Sequence, residues 1–336
     1  MNFSNKLSVH VPVFNSEKTI HRCMDSIFSQ SYQNFDLYIY EDCSTDNTIE
    51  ILEKYKKKYN FTLIKNKENL GLIKNFNQIL KNVNTEFFAI YHSDEKYDKD
   101  ILYKELNFLE KNKNQVGAVF TNGFFDIQTS KKKIIGNRIL KKNSSIYNFD
   151  EIFNLVIKYY NILIASSAMF VTKDIKEIGL FDKNYGMSID LNYWFRILKK
   201  KNIGILNENL ISTYLDGSAS FAEFNKVSKS DFFIVMDEII QKHYKYKLSE
   251  DQKKYYTILI YRDYCRIIRN YYKLKNKEEI FKIFKIFEVK FILLNLLKSR
   301  KMLVVLYVYI FVLLDFKFGI GKITEYFLDK LFKKVS

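Results

Sequence analysis

Cysteine is scarce in this chain: Cys23, Cys43 and Cys265 are odd in number and scattered, with no CxxC pair and no paired-histidine pattern near them. That argues against a disulfide framework and against structural zinc, and it points to a reducing compartment. Glycine is thin too, and Val13-Phe14-Asn15-Ser16 stands where a GxGxxG turn would follow the first strand-like run, while no GxxxxGK(S/T) occurs anywhere. Dinucleotide redox chemistry and P-loop phosphoryl transfer are therefore disfavoured. Proline occurs once, as Pro12, and the low Pro and Gly beside abundant Lys, Asn, Ile, Phe and Tyr fits an AT-rich bacterial genome. Met1-Asn2-Phe3-Ser4-Asn5-Lys6 is polar where a secretory signal would carry an apolar run. Folding is thus expected to begin in the cytoplasm.

What is abundant is apolar and cationic. With 336 residues, 47% of them hydrophobic, the chain exceeds one average domain and can bury a sizeable core. Disorder is disfavoured. The formal charge of +16, from 54 Lys and Arg against 38 Asp and Glu, favours an anionic partner: nucleic acid, a phospholipid surface or a phosphorylated substrate. Nucleic acid has no motif in its favour, and the aromatics interleaved over Tyr255–Tyr272 fit helix packing as well as base contact.

The first half alternates strand and helix. Leu7–Val13 reads as a buried strand ended by Pro12, with Ser16 as the cap of a helix to about Gln30. Asp36–Tyr40 is a second strand, Asn47–Tyr59 an amphipathic helix, Phe61–Lys65 a third strand and Leu72–Asn82 a helix entered through Asn69-Leu70-Gly71. Phe87–Tyr91 is a fourth strand, followed by a helix over about Lys99–Asn112 and a strand over Val116–Thr121. This alternation predicts parallel pairing with right-handed crossovers. Thr129–Ser145, with Lys131-Lys132-Lys133, reads as a surface loop or hairpin. From about Phe224 the strand signal fades into helices with basic outer faces, so a domain over residues 1–221 and a helical region over 222–336 are expected.

In parallel α/β sheets, ligands lie beyond the carboxyl ends of the strands. Asp42 and Asp94 stand at two such ends, and Asp190 lies far downstream in Ser188-Ile189-Asp190-Leu191-Asn192-Tyr193-Trp194-Phe195-Arg196. Phe14 and Asp42 are placed to pack on a nucleotide base and to accept from its N–H groups; the plain alternatives are core packing for Phe14 and an exposed loop acid or a cap for Asp42. Asp94 suits a hard divalent ion that bridges phosphates, a task needing one or two carboxylates plus substrate oxygens. His92 can project to the same side, or bond only to backbone or solvent. Glu95 and Asp98 read as solvated.

Four blocks share order and spacing with a known family: Val11-Pro12-Val13-Phe14-Asn15, Tyr40-Glu41-Asp42-Cys43-Ser44-Thr45-Asp46-Asn47-Thr48, Glu68-Asn69-Leu70-Gly71 and Ala89-Ile90-Tyr91-His92-Ser93-Asp94. They resemble the family 2 glycosyltransferases of the GT-A fold. The second block is similar to that family's DDGSTDNT signature, and Ile178-Gly179-Leu180-Phe181-Asp182 resembles its GGFDE segment. The likeness runs from about Leu7 to about Ser220. It implies an α/β fold with a GT-A type, Rossmann-like mixed sheet flanked by helices and, here, a C-terminal helical extension. It also implies a nucleotide-sugar donor, usually a UDP-sugar, held by Pro12, Phe14, Asp42, Asn69, Gly71, Lys74 and Ser93. Mn2+ or Mg2+ would sit at Asp94 with His92, and Asp190 would be the base of an inverting transfer to a glycan or lipid-linked acceptor. A single displacement with one base and no nucleophile inverts the anomeric centre, and a positioned carboxylate contributes about 10² to 10⁴ in rate. Lipopolysaccharide, lipooligosaccharide or capsule synthesis at the inner face of the plasma membrane is the implied setting.

The departures from the pattern bear on metal binding. His92 takes the first acidic position of the DxD motif, Ile189 replaces the usual Glu, Asn192 stands where another Asp is common, and Tyr214-Leu215-Asp216-Gly217-Ser218 lacks the Arg and His of the family's YRxHxxS. A catalytically degenerate binder of nucleotide sugars or lipid headgroups is the competing reading. Arg196 is expected to support local structure. Met302–Leu314 is an apolar run of 13 residues. As a helix it spans about 20 Å, short of a roughly 30 Å hydrocarbon core. Flanked by Lys298, Arg300 and Lys301 and by Lys317, Lys322, Lys330, Lys333 and Lys334, it suits an anionic membrane surface or, alternatively, a buried place in a bundle or dimer.

Overall fold

The computed structural model describes residues 6–127, 132–135, 144–214, 226–296 and 300–335. The chain divides into two compact units, residues 1–153 with 161–217, and residues 154–160 with 218–336. The stretch 215–225, where a boundary was expected, lies outside the described residues, as do 128–131 and 136–143 of the expected basic loop.

The first unit begins with β1 (Leu7–Val13), α1 (Ile20–Phe28), β2 (Asp36–Glu41), α2 (Thr48–Lys56), β3 (Thr62–Lys65), α3 (Leu72–Asn82) and β4 (Phe87–Ile90). Then come β5 (Lys96–Tyr97), α4 (Ile101–Asn112), β6 (Val116–Ile127), β7 (Lys132–Ile135), β8 (Ser144–Tyr147) and α5 (Phe149–Tyr159), the last of which runs into the second unit. It closes with β9 (Ala168–Val171), α6 (Thr172–Ile178), α7 (Ile189–Leu198) and β10 (Asn202–Tyr214). The strands form one sheet in the order β3-β2-β1-β4-β9-β6-β10-β5, with β7 on β6 and β8 on β10.

Every residue of β1 is buried, as a central strand requires. Leu7, Val9, Val11 and Val13 share one core cluster with Ile20, Cys23, Met24 and Ile27 of α1 and with Ile101, Leu102, Leu106 and Leu109 of α4. Pro12 sits inside this strand without breaking it. The carbonyl of His10 accepts from Tyr91 N on the β4 side, and Val13 O accepts from Asp42 N on the β2 side. Pro12 alternates onto the β4 side, where β4 pairs no further than His10↔Ile90, so its missing N–H costs no ladder bond. Ser16 does not cap α1; its carbonyl accepts from Thr19 N and Ile20 N, and the helix begins at Ile20.

β1, β2, β3 and β4 pair in parallel as the alternation predicts, whereas β9 is antiparallel to both β4 and β6. The sheet is therefore mixed. Insertion of β9 turns the segment preceding it, residues 161–167, back toward the carboxyl end of β4, since Ala168 pairs with Ile90.

The second unit is helical: α8 (Asp231–Tyr244), α9 (Glu250–Lys273), α10 (Lys277–Phe284), α11 (Val289–Asn295), α12 (Arg300–Phe318) and α13 (Gly321–Val335). Ser249 and Gln252 form a reciprocal capping box at the start of α9. Along α9, Arg266 pairs with Asp263 at 2.8 Å and Arg269 with Asp329 of α13 at 2.8 Å. Ile258, Cys265 and Ile268 of α9 pack with Met302, Val305, Val308 and Val312 of α12 and with Leu328 of α13. The apolar run over 302–314 thus does bury one face in a bundle, yet Leu303, Tyr307 and Ile310 on α12 remain exposed. Among the described residues, no helix is long and apolar enough to cross a membrane.

Candidate active site

The loops after β1 and β2 are sewn together by short polar side chains. Asn15, at φ 46°, donates its backbone N–H to Ser44 Oγ at 2.9 Å, and its Oδ1 accepts from Thr45 N at 2.8 Å. Asp46 accepts from Glu17 N and from Thr48 N. At the end of β2, buried Glu41 takes the backbone N–H groups of Cys43 and Ser44, at 3.2 and 2.6 Å. Buried Asp42 turns the other way: Oδ1 accepts from Asn66 Nδ2 at 2.8 Å and from Leu70 N at 2.9 Å, and Oδ2 from Gly71 N at 2.9 Å. Gly71 has φ +76°, which a side chain would strain, and it opens α3. Asn69 Oδ1 accepts from the same Gly71 N–H. Phe14, in the turn after β1, is 47% exposed, and Lys74 is exposed on α3.

Beyond β4 the chain presents His92, Ser93, Asp94 and Glu95. One ligand atom each from His92, Asp94 and Glu95 lie within 4.8 Å of one another, the geometry of a candidate cation site. Ser93 Oγ meets Ser16 Oγ at 2.8 Å, and Arg22 Nε donates to the Asp94 carbonyl at 3.1 Å, which fixes the loop's backbone. Glu95 corrects the expectation of a solvated acid. It is 5% exposed, Ser166 Oγ donates to its Oε1 at 3.3 Å, and its buried Oε2 has no partner within hydrogen-bond distance among the described residues. Burial, then the neighbouring Asp94 charge, pushes its pKa up to about 8. Burial lowers the pKa of His92, favouring the neutral imidazole that can ligate a metal. An orphaned buried carboxyl oxygen beside a second acid and a neutral imidazole fits a divalent cation, which would displace the Glu95 proton on binding. Asp98 is exposed, as expected.

Asp190 occupies the first turn of α7. Its Oδ2 accepts from Asn161 Nδ2 at 3.2 Å and its Oδ1 from Leu191 N at 2.6 Å. Burial raises its pKa to about 6, so it is mostly ionised at neutral pH and basic enough to take a proton. Packing ties it to the other acids. Asp42 holds Gly71 at the head of α3; Phe76 of α3 lies 5.8 Å from the His92 ring; Asn77 exchanges two hydrogen bonds with the backbone of Phe181; and Phe181 stacks at 4.1 Å on Tyr193 of α7. A second route runs along residues 161–167, with Asn161 on Asp190 and Ser166 on Glu95. Arg196 donates to the carbonyls of Leu180 and Ile178 and so supports local structure, as expected.

The glycosyl transferase family 2 model matches residues 8–178, just over half of the 336-residue chain. The chain belongs to glycosyl transferase family 2. A dolichyl N-acetyl-alpha-D-glucosaminyl phosphate 3-beta-D-2,3-diacetamido-2,3-dideoxy-beta-D-glucuronosyltransferase of Methanococcus voltae is 28% identical over 227 residues, covering 64% of this chain and 68% of that relative. Residues 1–349 of TarS from Staphylococcus aureus, solved in complex with UDP-GlcNAc, superpose with a TM-score of 0.59 at 18% identity, over 94% of this chain and 92% of that one. The mannosyltransferase PcManGT of Pyrobaculum calidifontis, in complex with GDP-Man and Mn2+, gives 0.55 at 14% identity, over 98% and 86%. At these identities the two structures speak to the fold, which is the GT-A type.

Within this family 2 chain, the residues singled out in the first half of the sequence lie at or next to the carboxyl ends of β1, β2, β3 and β4, with Pro12 in β1 and Lys74 on α3, while Asp190 lies on α7. Pro12, Phe14, Asp42, Asn69, Gly71 and Lys74 border the β1, β2 and β3 ends, while His92, Ser93 and Asp94 follow β4. Sequence reasoning missed Glu95, Arg22, Asn66 and Asn161. Glu95 adjoins the Asp94 motif and was readable only as a polar loop residue. Arg22 acts on Asp94 across 72 positions and Asn161 on Asp190 across 29, with no local signal for either.

Proposed function

We propose that this chain is an inverting glycosyltransferase that moves a sugar from a nucleotide-sugar donor, a UDP-sugar, to a hydroxyl of a glycan or lipid-linked acceptor in bacterial surface-glycan synthesis. The observation that carries the reading is Asp190, pushed to a pKa of about 6 and joined through α3 and residues 161–167 to the Asp94 loop. Asp42 and its collar of N–H donors shape the floor against which a nucleobase rests, and exposed Phe14 offers a face to pack on it. Lys74, exposed on α3, supplies positive charge for the donor phosphates.

His92, Asp94 and Glu95 would hold Mn2+ or Mg2+. Bound there, the cation would neutralise charge developing on the departing diphosphate. Arg22 keeps the Asp94 carbonyl fixed, leaving the carboxylate side of that loop for ligands. Asp190 accepts the proton of the attacking acceptor hydroxyl, and Asn161, donating to Oδ2, orients the carboxylate for it. A lipid-linked acceptor would bring the enzyme to the inner face of the plasma membrane.

A panel of nucleotide sugars, assayed for nucleotide release with and without Mn2+ or Mg2+, tests the reading. Metal-stimulated release of UDP from at least one donor is the expected result. Tight donor binding with no release from any donor, with or without metal and acceptor, would favour a catalytically degenerate binder.

A further inference from the structure

We infer that the outward faces of α12 and α13 form a docking surface for an anionic lipid bilayer. This deepens the membrane-facing part of the reading above, but it stands on residues of the helical unit alone. An α-helix that buries one stripe normally shows water a polar one. On α12 the buried stripe is Met302, Val305, Val308 and Val312, and the opposite stripe, Leu303, Tyr307 and Ile310, is apolar and exposed, Tyr307 by 52%. On α13 Leu328 and Phe332 are buried while Ile323, Tyr326 and Phe327 are exposed, Tyr326 by 62%. Phe311 stacks on Phe327 at 4.7 Å, so the two stripes join into one surface.

The fully exposed charges described on these helices are cationic, whereas Asp315 is buried and Glu325 and Asp329 of α13 are half-buried. Asp315 is turned inward and accepts from Tyr272 OH at 3.0 Å, and Asp329 accepts from Arg269 Nε at 2.8 Å. Lys317, Lys322 and Lys330 are exposed and lie in no ion pair among the described residues, with Lys317 and Lys330 poised 5.2 and 5.9 Å from the Phe318 and Tyr326 rings. Apolar and tyrosyl side chains rimmed by lysines match the interfacial zone of a bilayer with anionic headgroups. A second copy is the weaker occupant, because face-to-face pairing would bring the same lysines of a +16 chain together. With 19 residues, α12 lies flat for about 28 Å and anchors in the interface without crossing it.

Flotation of the full chain with phosphatidylcholine vesicles, with and without phosphatidylglycerol, tests this. Co-flotation with the phosphatidylglycerol vesicles is expected, abolished in the Ile310→Asp/Tyr326→Asp variant. Changing Lys317, Lys322 and Lys330 together to Ala should weaken binding by about a hundredfold at low salt. Both sets of side chains are exposed, and unchanged circular dichroism melting of the lysine variant provides the folding control. No flotation of the wild-type chain, flotation unchanged in both variants, or a dimer in light scattering that Ile310→Asp dissociates would overturn the inference. Nucleotide release is read in separate tubes without vesicles, so loss of sugar transfer and loss of membrane docking are distinguishable.

Discussion

The loop after β2 and the loop after β4 both leave the carboxyl end of a parallel strand with adjacent or near-adjacent acids, and they treat them in opposite ways. Glu41 and Asp42 are saturated: their oxygens receive four backbone N–H groups and one amide from within the protein. Asp94 and Glu95 are not. Glu95 is buried with one oxygen unpartnered among the described residues, and Asp94 has its carbonyl, not its carboxylate, held by Arg22. A buried carboxylate that collects N–H donors builds shape, whereas one left short of partners is poised for a ligand. Asp190 belongs with the second kind, since its two hydrogen bonds do not offset its desolvation.

Substitutions sharpen that contrast. The largest effect is expected at Asp190: Asp190→Asn should lower sugar transfer by about 10² to 10⁴ while leaving donor affinity, measured by calorimetry, nearly unchanged. Glu95→Gln should weaken Mn2+ binding by at least about tenfold, read by metal titration of nucleotide release or by the paramagnetic signal of free Mn2+. Asp42→Asn should act on the fold instead. It takes a charged acceptor from Asn66, Leu70 and Gly71, costing about 1–3 kcal/mol in a denaturant melt. The smallest effect is expected at Lys74→Ala, a few-fold loss of donor affinity that fades with added salt, because a single exposed charge is worth about 1 kcal/mol or less. If Asp42→Asn left stability unchanged and Glu95→Gln destabilised the protein, the contrast between the two loops would be reversed.

The half of the sheet built by local alternation was legible. β1 spans Leu7–Val13 and α3 spans Leu72–Asn82, both as the apolar pattern and the Asn69-Leu70-Gly71 turn predict. The antiparallel β9 was not, because its short apolar run Ala168–Val171 gains its place only from β4 and β6 on either side. The site followed the same division. Asp42 and Asp94 announce themselves at strand ends, but buried Glu95 takes its hydrogen bond from Ser166, 71 positions away. The exposed apolar stripe of α12 was likewise hidden: an unbroken run of apolar residues shows no periodicity from which a buried face could be told from an outward one.

The raised pKa of Asp190 also fixes a direction for stability. The folded state holds its proton more tightly than the unfolded chain, so ionisation costs stability from above the ordinary value of 3.8 upward, and in full above about 6. Asp190→Asn should therefore melt higher than the wild type at neutral pH, an advantage that disappears near pH 4.

The pH dependence of kcat/KM for sugar transfer, measured for the wild type and for Asp190→Asn, tests the account most directly. An acid limb with a midpoint of about 6 in the wild type, missing from the residual activity of the variant, is the predicted result. The same limb in both proteins, or transfer by Asp190→Asn at the wild-type rate, would contradict it.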